Sequence, residues 1–355
     1  MLRIISIFTA LVLIAPAAFA NTNTTITSQL SSIKNSVEQI RMAIASHNVN
    51  IPAHTPLAQY AGLIRQIQAA PQLPPGQINP NASSVILMIG DGFGINHVHC
   101  AANFGPTLLA DITPHAWMTT YSYDCGPGAD CVTDSAAATT AIACGIRTNN
   151  SYVGMGPDRV PCMPISRRVA AKNYTVIIAT TDTNITAPTP AAFFAHSPSR
   201  HNHGLIEQYR RYAPMKTVGN LSSLEVYADT ITWYYRRFID DRGFINNRPF
   251  FWMLEVAQID WMGHANDFWG MVFWMNDFVR AVQIMKDFVA QNPEVTLIVT
   301  SDHECGGLTE DCEWTSFDHT TEPVPLWAFG KHADRFRGNF ALEDLHDKMR
   351  DILLP

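Results

Sequence analysis

Short uninterrupted apolar runs, separated by stretches of helical periodicity, organise the chain beyond residue 83. The runs stand at 85–89 (Val-Ile-Leu-Met-Ile), 175–179, 250–254, 295–299 and 324–328. Apolar runs of five without polar alternation predict strands covered on both faces. Helical spacing is clearest over 268–289, where apolar positions recur every three or four residues. The alternation predicts an α/β fold with a largely parallel central sheet and helices on both faces. In such sheets ligands gather just past the carboxyl ends of the strands.

Upstream the pattern is different. Ile26, Leu30, Ile33, Val37, Ile40 and Ile44 form a heptad seam, followed by Leu57, Tyr60, Ile64 and Ile67 at helical spacing. The seam predicts a short helical segment at 21–68, packed either as an intramolecular hairpin or as a stalk between copies of the chain. Residues 69–82 hold four prolines, a glycine and no charge, which reads as a semi-rigid linker. The segment 1–20 has Arg3, an apolar stretch and Ala18-Phe19-Ala20 before Asn21, the layout of a secretory leader. The expected domains are therefore a leader at 1–20, helices at 21–68, the linker at 69–82 and a catalytic domain at 83–355.

Composition narrows the function. With 355 residues, 47% hydrophobic and 15% charged, the chain has enough apolar surface for a large core. A net charge of −7 argues against a nucleic-acid partner, whose phosphates call for clustered Lys and Arg. No run after the leader is long enough to span a bilayer, so a periplasmic or secreted protein is expected. Seven cysteines suit an oxidising compartment. The expected bridges are Cys125–Cys131 and Cys305–Cys312, each closing a glycine-containing loop, and Cys144–Cys162, with Cys100 left over.

Candidate chemistry stands where the strands end. The first run leads into Asp91, the run at 250–254 into Glu255, Asp260 and His264, and the run at 295–299 into Asp302 and His303; His319 lies in the loop before the last run. Asp260 and His264, four apart, share one helical face and can grip one cation. Gly306-Gly307 permits a tight turn after Asp302-His303. Ser135 opens an alanine-rich helix, as its N-cap, where unpaired N–H groups favour an anion. Mixed imidazole and carboxylate donors suit zinc, while carboxylate and hydroxyl suit magnesium. Each small motif also has a plain structural reading, as a capped helix or a solvated helix face. His97, His99 and His115 read as surface or core histidines, and Trp252, Trp269 and Trp274 as core.

Taken together, Ile89-Gly90-Asp91-Gly92-Phe93-Gly94, Thr133-Asp134-Ser135-Ala136-Ala137, Thr189-Pro190-Ala191-Ala192-Phe193 with Arg200, Glu255 with Asp260 and His264, Ser301-Asp302-His303-Glu304 and His319-Thr320 resemble the ordered motifs of alkaline phosphatases. The resemblance spans 83–332 and excludes the N-terminal helices. It implies two zinc ions and one magnesium. Asp260, His264 and His319 would hold the first zinc; Asp91, Asp302 and His303 the second, with Ser135 as nucleophile and further ligand; Asp91, Glu255 and Thr189 the magnesium. Two cations about 4 Å apart can stabilise the attacking and leaving oxygens of phosphoryl transfer together. Arg200 would fork two phosphate oxygens.

The implied activity is hydrolysis of small-molecule phosphate monoesters through a phosphoserine, with an alkaline optimum. Two departures from the family bear on it. Ala187 stands where an Asp or His usually serves the magnesium, leaving Asp182 or Asn184 to compensate or the third ion weak or absent. Trp261 replaces a charged residue or histidine near phosphate. A phosphodiesterase of the same superfamily and an inactive surface-binding protein are the rival readings. Self-association through the N-terminal helices or the catalytic domain is a further expectation.

Overall fold

The five apolar runs form the middle of one eight-stranded sheet in the computed structural model, which describes residues 83–124, 131–182, 184–211, 216–218 and 249–355, all within the unit Gln72–Pro355. The expected leader, helical segment and linker lie outside the described residues. The strands are β1 (Ser84–Gly90), β2 (Ala116–Thr119), β3 (Thr175–Thr180), β4 (Lys216–Val218), β5 (Phe250–Val256), β6 (Val295–Thr300), β7 (Glu304–Cys305), β8 (His319–Thr320), β9 (Val324–Gly330) and β10 (Gly338–Ala341). The helices are α1 (Ile95–Ala102), α2 (Ser135–Cys144), α3 (Ile165–Ala170), α4 (Pro188–Ala191), α5 (Leu205–Arg211), α6 (Gln258–Ala265), α7 (Phe268–Gln291) and α8 (Leu342–Leu353).

The large sheet runs β10-β2-β9-β6-β1-β5-β3-β4, while β7 and β8 form a separate antiparallel pair. β1 lies at its centre, parallel to β5 on one side and β6 on the other. Every residue of β1, β5 and β6 is buried, which is why their sequences show no polar alternation. The strand period of two then splits the core. Val85, Leu87 and Ile89 pack with α2 and α8, whereas Ile86 and Met88 pack with α1 and α7 on the other face. The α7 helix starts at Asp267, whose carboxylate caps Gly270 N at 3.0 Å, and turns Met271, Met275, Phe278, Val282 and Met285 inward.

Among the described strands only β9 runs against the others of this sheet, pairing antiparallel with both β6 and β2. Its reversal matters to function. A parallel strand would leave the preceding loop at the amino edge, but the reversed β9 begins beside the carboxyl end of β6, with Leu326 opposite Thr300. The loop carrying His319 is thereby delivered to the edge where Asp91, Glu255 and Asp302 emerge.

The cysteine and tryptophan expectations need correction. Cys100 is bonded to Cys312 and Cys305 is free and buried, so the local Cys305–Cys312 bridge does not form. Cys305 lies in β7, directed into the interior, while the turn at 309–312 swings Cys312 toward α1, where Cys100 faces it at a Cα separation of 5.8 Å. Cys144 and Cys162 are bonded as expected; Cys131 is also disulfide-bonded, and its expected partner Cys125 lies outside the described residues. Trp252 is core, but Trp269 is 63% exposed and Trp274 half-buried, because both sit on the outer side of the first turns of α7.

Candidate active site

Ser135 is the first residue of α2 and not its cap. Asp134 occupies the N-cap in extended conformation, with Oδ1 accepting from Ala137 N at 2.8 Å. A carboxylate outcompetes the hydroxyl here because it also accepts from Ser151 N at 2.8 Å and from Arg200 at 3.0 Å through Oδ2. This leaves Ser135 Oγ free of capping, 3.3 Å from His303 Nε2. All ten residues of α2 are buried, so the small side chains read in the sequence let the helix sit inside the core and aim its N-terminus at the site.

Behind β1 the backbone turns sharply at Gly92, with φ at +85°, and a Cβ there would lie 2.6 Å from Asp260 Cα. No larger residue fits that approach, which brings the Asp91 loop against α6. In α6, Asp260 and His264 share a face as their spacing predicts, with His264 Nε2 3.5 Å from Asp260 Oδ2. His319 Nε2 lies 3.2 Å from Asp260 Oδ1 and 3.2 Å from His264 Nε2. The Nδ1–H groups of both imidazoles are directed at backbone carbonyls, His264 to Phe317 O at 2.6 Å and His319 to Thr133 O at 2.8 Å. That leaves two Nε2 atoms and a carboxylate facing one point, a set of donors suited to a shared cation. Cys305 Sγ belongs to the same group, whose four ligand atoms all lie within 4.8 Å of one another.

A second group unites Asp91, Asp302 and His303. His303 Nε2 is 3.3 Å from Asp91 Oδ1 and 3.4 Å from Asp302 Oδ2. Burial, with Asp302 and Asp260 nearby, pushes the Asp91 carboxyl well up; burial likewise raises Asp302 to about 8, and it drives the His303 imidazole well down. Asp91 Oδ1 and Asp302 Oδ2 are buried without hydrogen-bond partners. Uncompensated buried anions are costly, so the group calls for positive charge. In the first group burial also acts against the Asp260 charge, but the hydrogen bond from His319 and the neighbouring imidazoles outweigh it and hold the carboxyl well down. The two groups adjoin through the stacked rings of His303 and His319, 3.6 Å between centroids.

Asp91 also reaches a third set of donors. Thr189 Oγ1 donates to Asp91 Oδ2 at 3.2 Å and also acts on Glu255, so the hydroxyl stands between the two carboxyl groups. Glu255 is raised well above the usual range by burial and by Asp91, although the Thr180 hydroxyl donates to it. Ala187, the N-cap of α4, offers no donor, but Asp182 is close enough to act electrostatically on Glu255. Asn184 instead receives Thr186 N and Oγ1 in its own loop.

The structure thus gathers Asp91, Ser135, Thr189, Arg200, Glu255, Asp260, His264, Asp302, His303 and His319 at one edge of the sheet. Sequence reasoning passed over Asp134 as the group that orients Arg200 and Cys305 as a neighbour of the first cluster. A carboxylate directly before Ser135 was the available signal for Asp134; nothing local pointed to Cys305. His97 is a core histidine, lowered to about 4 by burial, taking Gly94 N on Nδ1 and giving Nε2–H to Cys305 O. His99 is exposed and His115 half-buried.

Comparison with known proteins points the same way. The family profile described as alkaline phosphatase matches residues 82–217 and 244–313. The chain is 25% identical over 290 residues to alkaline phosphatase 3 of Bacillus subtilis, covering 64% of this chain and 62% of that one. It is 34% identical over 128 residues to the streptomycin-6-phosphate phosphatase of Streptomyces griseus, covering 35% and 28%. The chain therefore spans less than two thirds of these relatives. In fold it is similar to the alkaline phosphatase of the Antarctic bacterium TAB5, with a TM-score of 0.64 at 22% identity, over 77% of this chain and 98% of that one. The cold-active enzyme of Shewanella sp. gives 0.65 at 19%, over 77% and 100%.

Proposed function

The chain belongs to the alkaline phosphatase family, and on that footing we propose that it is an exported, metal-dependent hydrolase of small-molecule phosphate monoesters that works through a phosphoserine on Ser135. The observation that carries the reading is the position of Ser135 Oγ at the N-terminus of α2, 3.3 Å from His303 Nε2 and beside two groups of buried, under-satisfied ligand atoms. Asp260, His264 and His319 would hold one zinc ion, Asp91, Asp302 and His303 another with Ser135, and Asp91, Glu255 and Thr189 a magnesium ion. These donor sets fit their ions: imidazole with carboxylate for zinc, carboxylate with hydroxyl for magnesium. When bound, the cations would lower the hydroxyl pKa of Ser135 and neutralise phosphate charge.

The chain's own residues do the rest. Arg200, held by Asp134, forks two non-bridging oxygens of a terminal phosphate and fixes its orientation. The N–H groups opening α2 add partial positive charge beneath the same oxygens. Ser135 Oγ releases its proton to solvent and forms a bond to phosphorus as the ester oxygen leaves on the opposite side and takes up a proton from water. Water then attacks the phosphoserine, gives its oxygen to phosphate and returns the serine hydroxyl. A monoester is favoured because its dianionic phosphate rewards the additional cation of Arg200. Export is supported by the leader-like sequence at 1–20 and by two described disulfides. The position of Ala187 supports a magnesium site weaker than the two zinc sites.

Phosphate release from an aryl phosphate tests the proposal, comparing wild type with Ser135→Ala, each with chelator and with zinc restored. The wild type should lose activity with chelator and regain it with zinc, and Ser135→Ala should fall by roughly a thousandfold or more. A wild type inactive with zinc supplied, or a Ser135→Ala protein as fast as wild type, rejects the mechanism.

A further inference from the structure

Cys305 is the free cysteine among the described residues, and the fold places its side chain with care. The Cys305 amide donates to Gly92 O at 2.9 Å and its carbonyl accepts from His97 Nε2 at 3.1 Å, so β7 is pinned between the β1 loop and α1. On the other side β7 lies directly against the turn of α6 between Asp260 and His264. Gly263 makes this possible: a Cβ there would sit 2.8 Å from Cys305 O and 3.0 Å from Cys305 Cβ. The thiol, 0% exposed, thereby joins Asp260, His264 and His319, with one ligand atom from each within 4.8 Å of all the others. Asp260, 8% exposed, is held between His319 Nε2, 3.2 Å from Oδ1, and His264 Nε2, 3.5 Å from Oδ2, so its carboxylate faces the same point as the thiol.

We propose that Cys305 Sγ is a fourth protein ligand to the cation held by Asp260, His264 and His319, making this centre a mixed nitrogen, oxygen and sulfur site. The inference rests on the reading above that the group binds a cation. Coordination converts the thiol to thiolate, its proton passing to solvent as the sulfur–metal bond forms. A soft donor among two imidazoles and a carboxylate selects zinc or cobalt over magnesium. A sulfur donor added to two imidazoles and a carboxylate would hold this cation more tightly than those three alone and would still leave it able to take a substrate oxygen as a further ligand. The remaining described cysteines that might supply sulfur, Cys100, Cys131, Cys144, Cys162 and Cys312, are all disulfide-bonded.

Cobalt(II) titrated into the chelator-stripped full-length protein separates the possibilities. Visible ligand-field bands report any bound cobalt, whereas a near-ultraviolet sulfur-to-cobalt charge-transfer band reports thiolate ligation. The wild type should show both. Cys305→Ser and Cys305→Thr should keep the visible bands and lose the charge-transfer band, and their zinc dissociation constants, measured by chelator competition, should rise roughly tenfold or more. Visible bands in the wild type without the charge-transfer band, or variants that retain it, overturn the sulfur ligand and leave the hydrolase reading intact. No cobalt binding to the wild type at all overturns the metal reading itself. Because the wild-type spectrum decides alone, a variant that failed to fold would not rescue the proposal.

Discussion

The two ligand groups are neighbours but face water differently. Asp91, Asp302 and His303 come from the ends of β1 and β6, are buried, and set two carboxylates against one histidine. Asp260 and His264 come from α6 and His319 from the short strand β8; His264 is partly exposed, and two imidazoles balance one carboxylate. Without a cation the first of these sets keeps its charge down by holding protons, with Asp302 raised to about 8, while the second keeps its charge as an ion pair, with His319 raised by Asp260 despite its burial. Strand ends in a sealed core buy rigid placement and need an ion; the set on α6 and β8 is closer to neutral by itself and open to exchange with solvent.

Substitution of the histidines should expose the contrast most strongly. His303→Ala should abolish phosphate release by roughly a thousandfold or more without rescue by excess zinc, since it touches both the buried carboxylates and Ser135. His264→Ala should cost roughly ten to a hundredfold and be partly restored by excess zinc. Equal losses and equal rescue in the two variants would remove the distinction.

Stability of the metal-free protein should then move in opposite directions. Above about pH 8, where Asp302 ionises, Asp302→Asn should stabilise it by about 1–3 kcal/mol, because a neutral amide removes the buried like-charge pair with Asp91. Asp260→Asn should destabilise it by about 1–3 kcal/mol, because His319 loses its partner. Denaturant titration in chelator measures both, and shifts of the same sign would defeat the charge argument.

A pH series sharpens the same point. A carboxyl raised in the folded state binds protons that the unfolded chain has released, so its contribution is full below the ordinary carboxylate range and is lost as pH rises through the folded value. For Asp302 that window runs from about 4 to about 8, and the Tm of the metal-free protein should fall across it. His97 acts oppositely, since its lowered value withdraws stability as pH falls from 6.5 toward about 4. Asp302→Asn should flatten the upper window and leave the lower one in place.

The smallest effect concerns a residue outside both groups. Arg200→Lys should lower kcat/KM for aryl monoesters by roughly tenfold, because a point charge cannot reproduce the fork that Asp134 orients. Steady-state kinetics on a monoester and a diester should show the loss confined to the monoester.

The amino-acid sequence by itself determined the five central strands, the long helix α7, the shared face of Asp260 and His264 and the placing of acidic residues past strand ends. Those features depend on neighbours along the chain: a five-residue apolar run has to be covered on both sides, and residues four apart on a helix meet wherever the helix goes. The tertiary structure alone decided that β9 runs backwards, that Cys312 pairs with Cys100 across 212 residues, and that Cys305 remains free beside Asp260. It also decided that Asp134, and not Ser135, caps α2 while holding Arg200. Strand direction, long-range pairing and the sharing of one carboxylate among three donors depend on which distant segments the packed sheet brings to the same edge, and no local period in the chain encodes that choice.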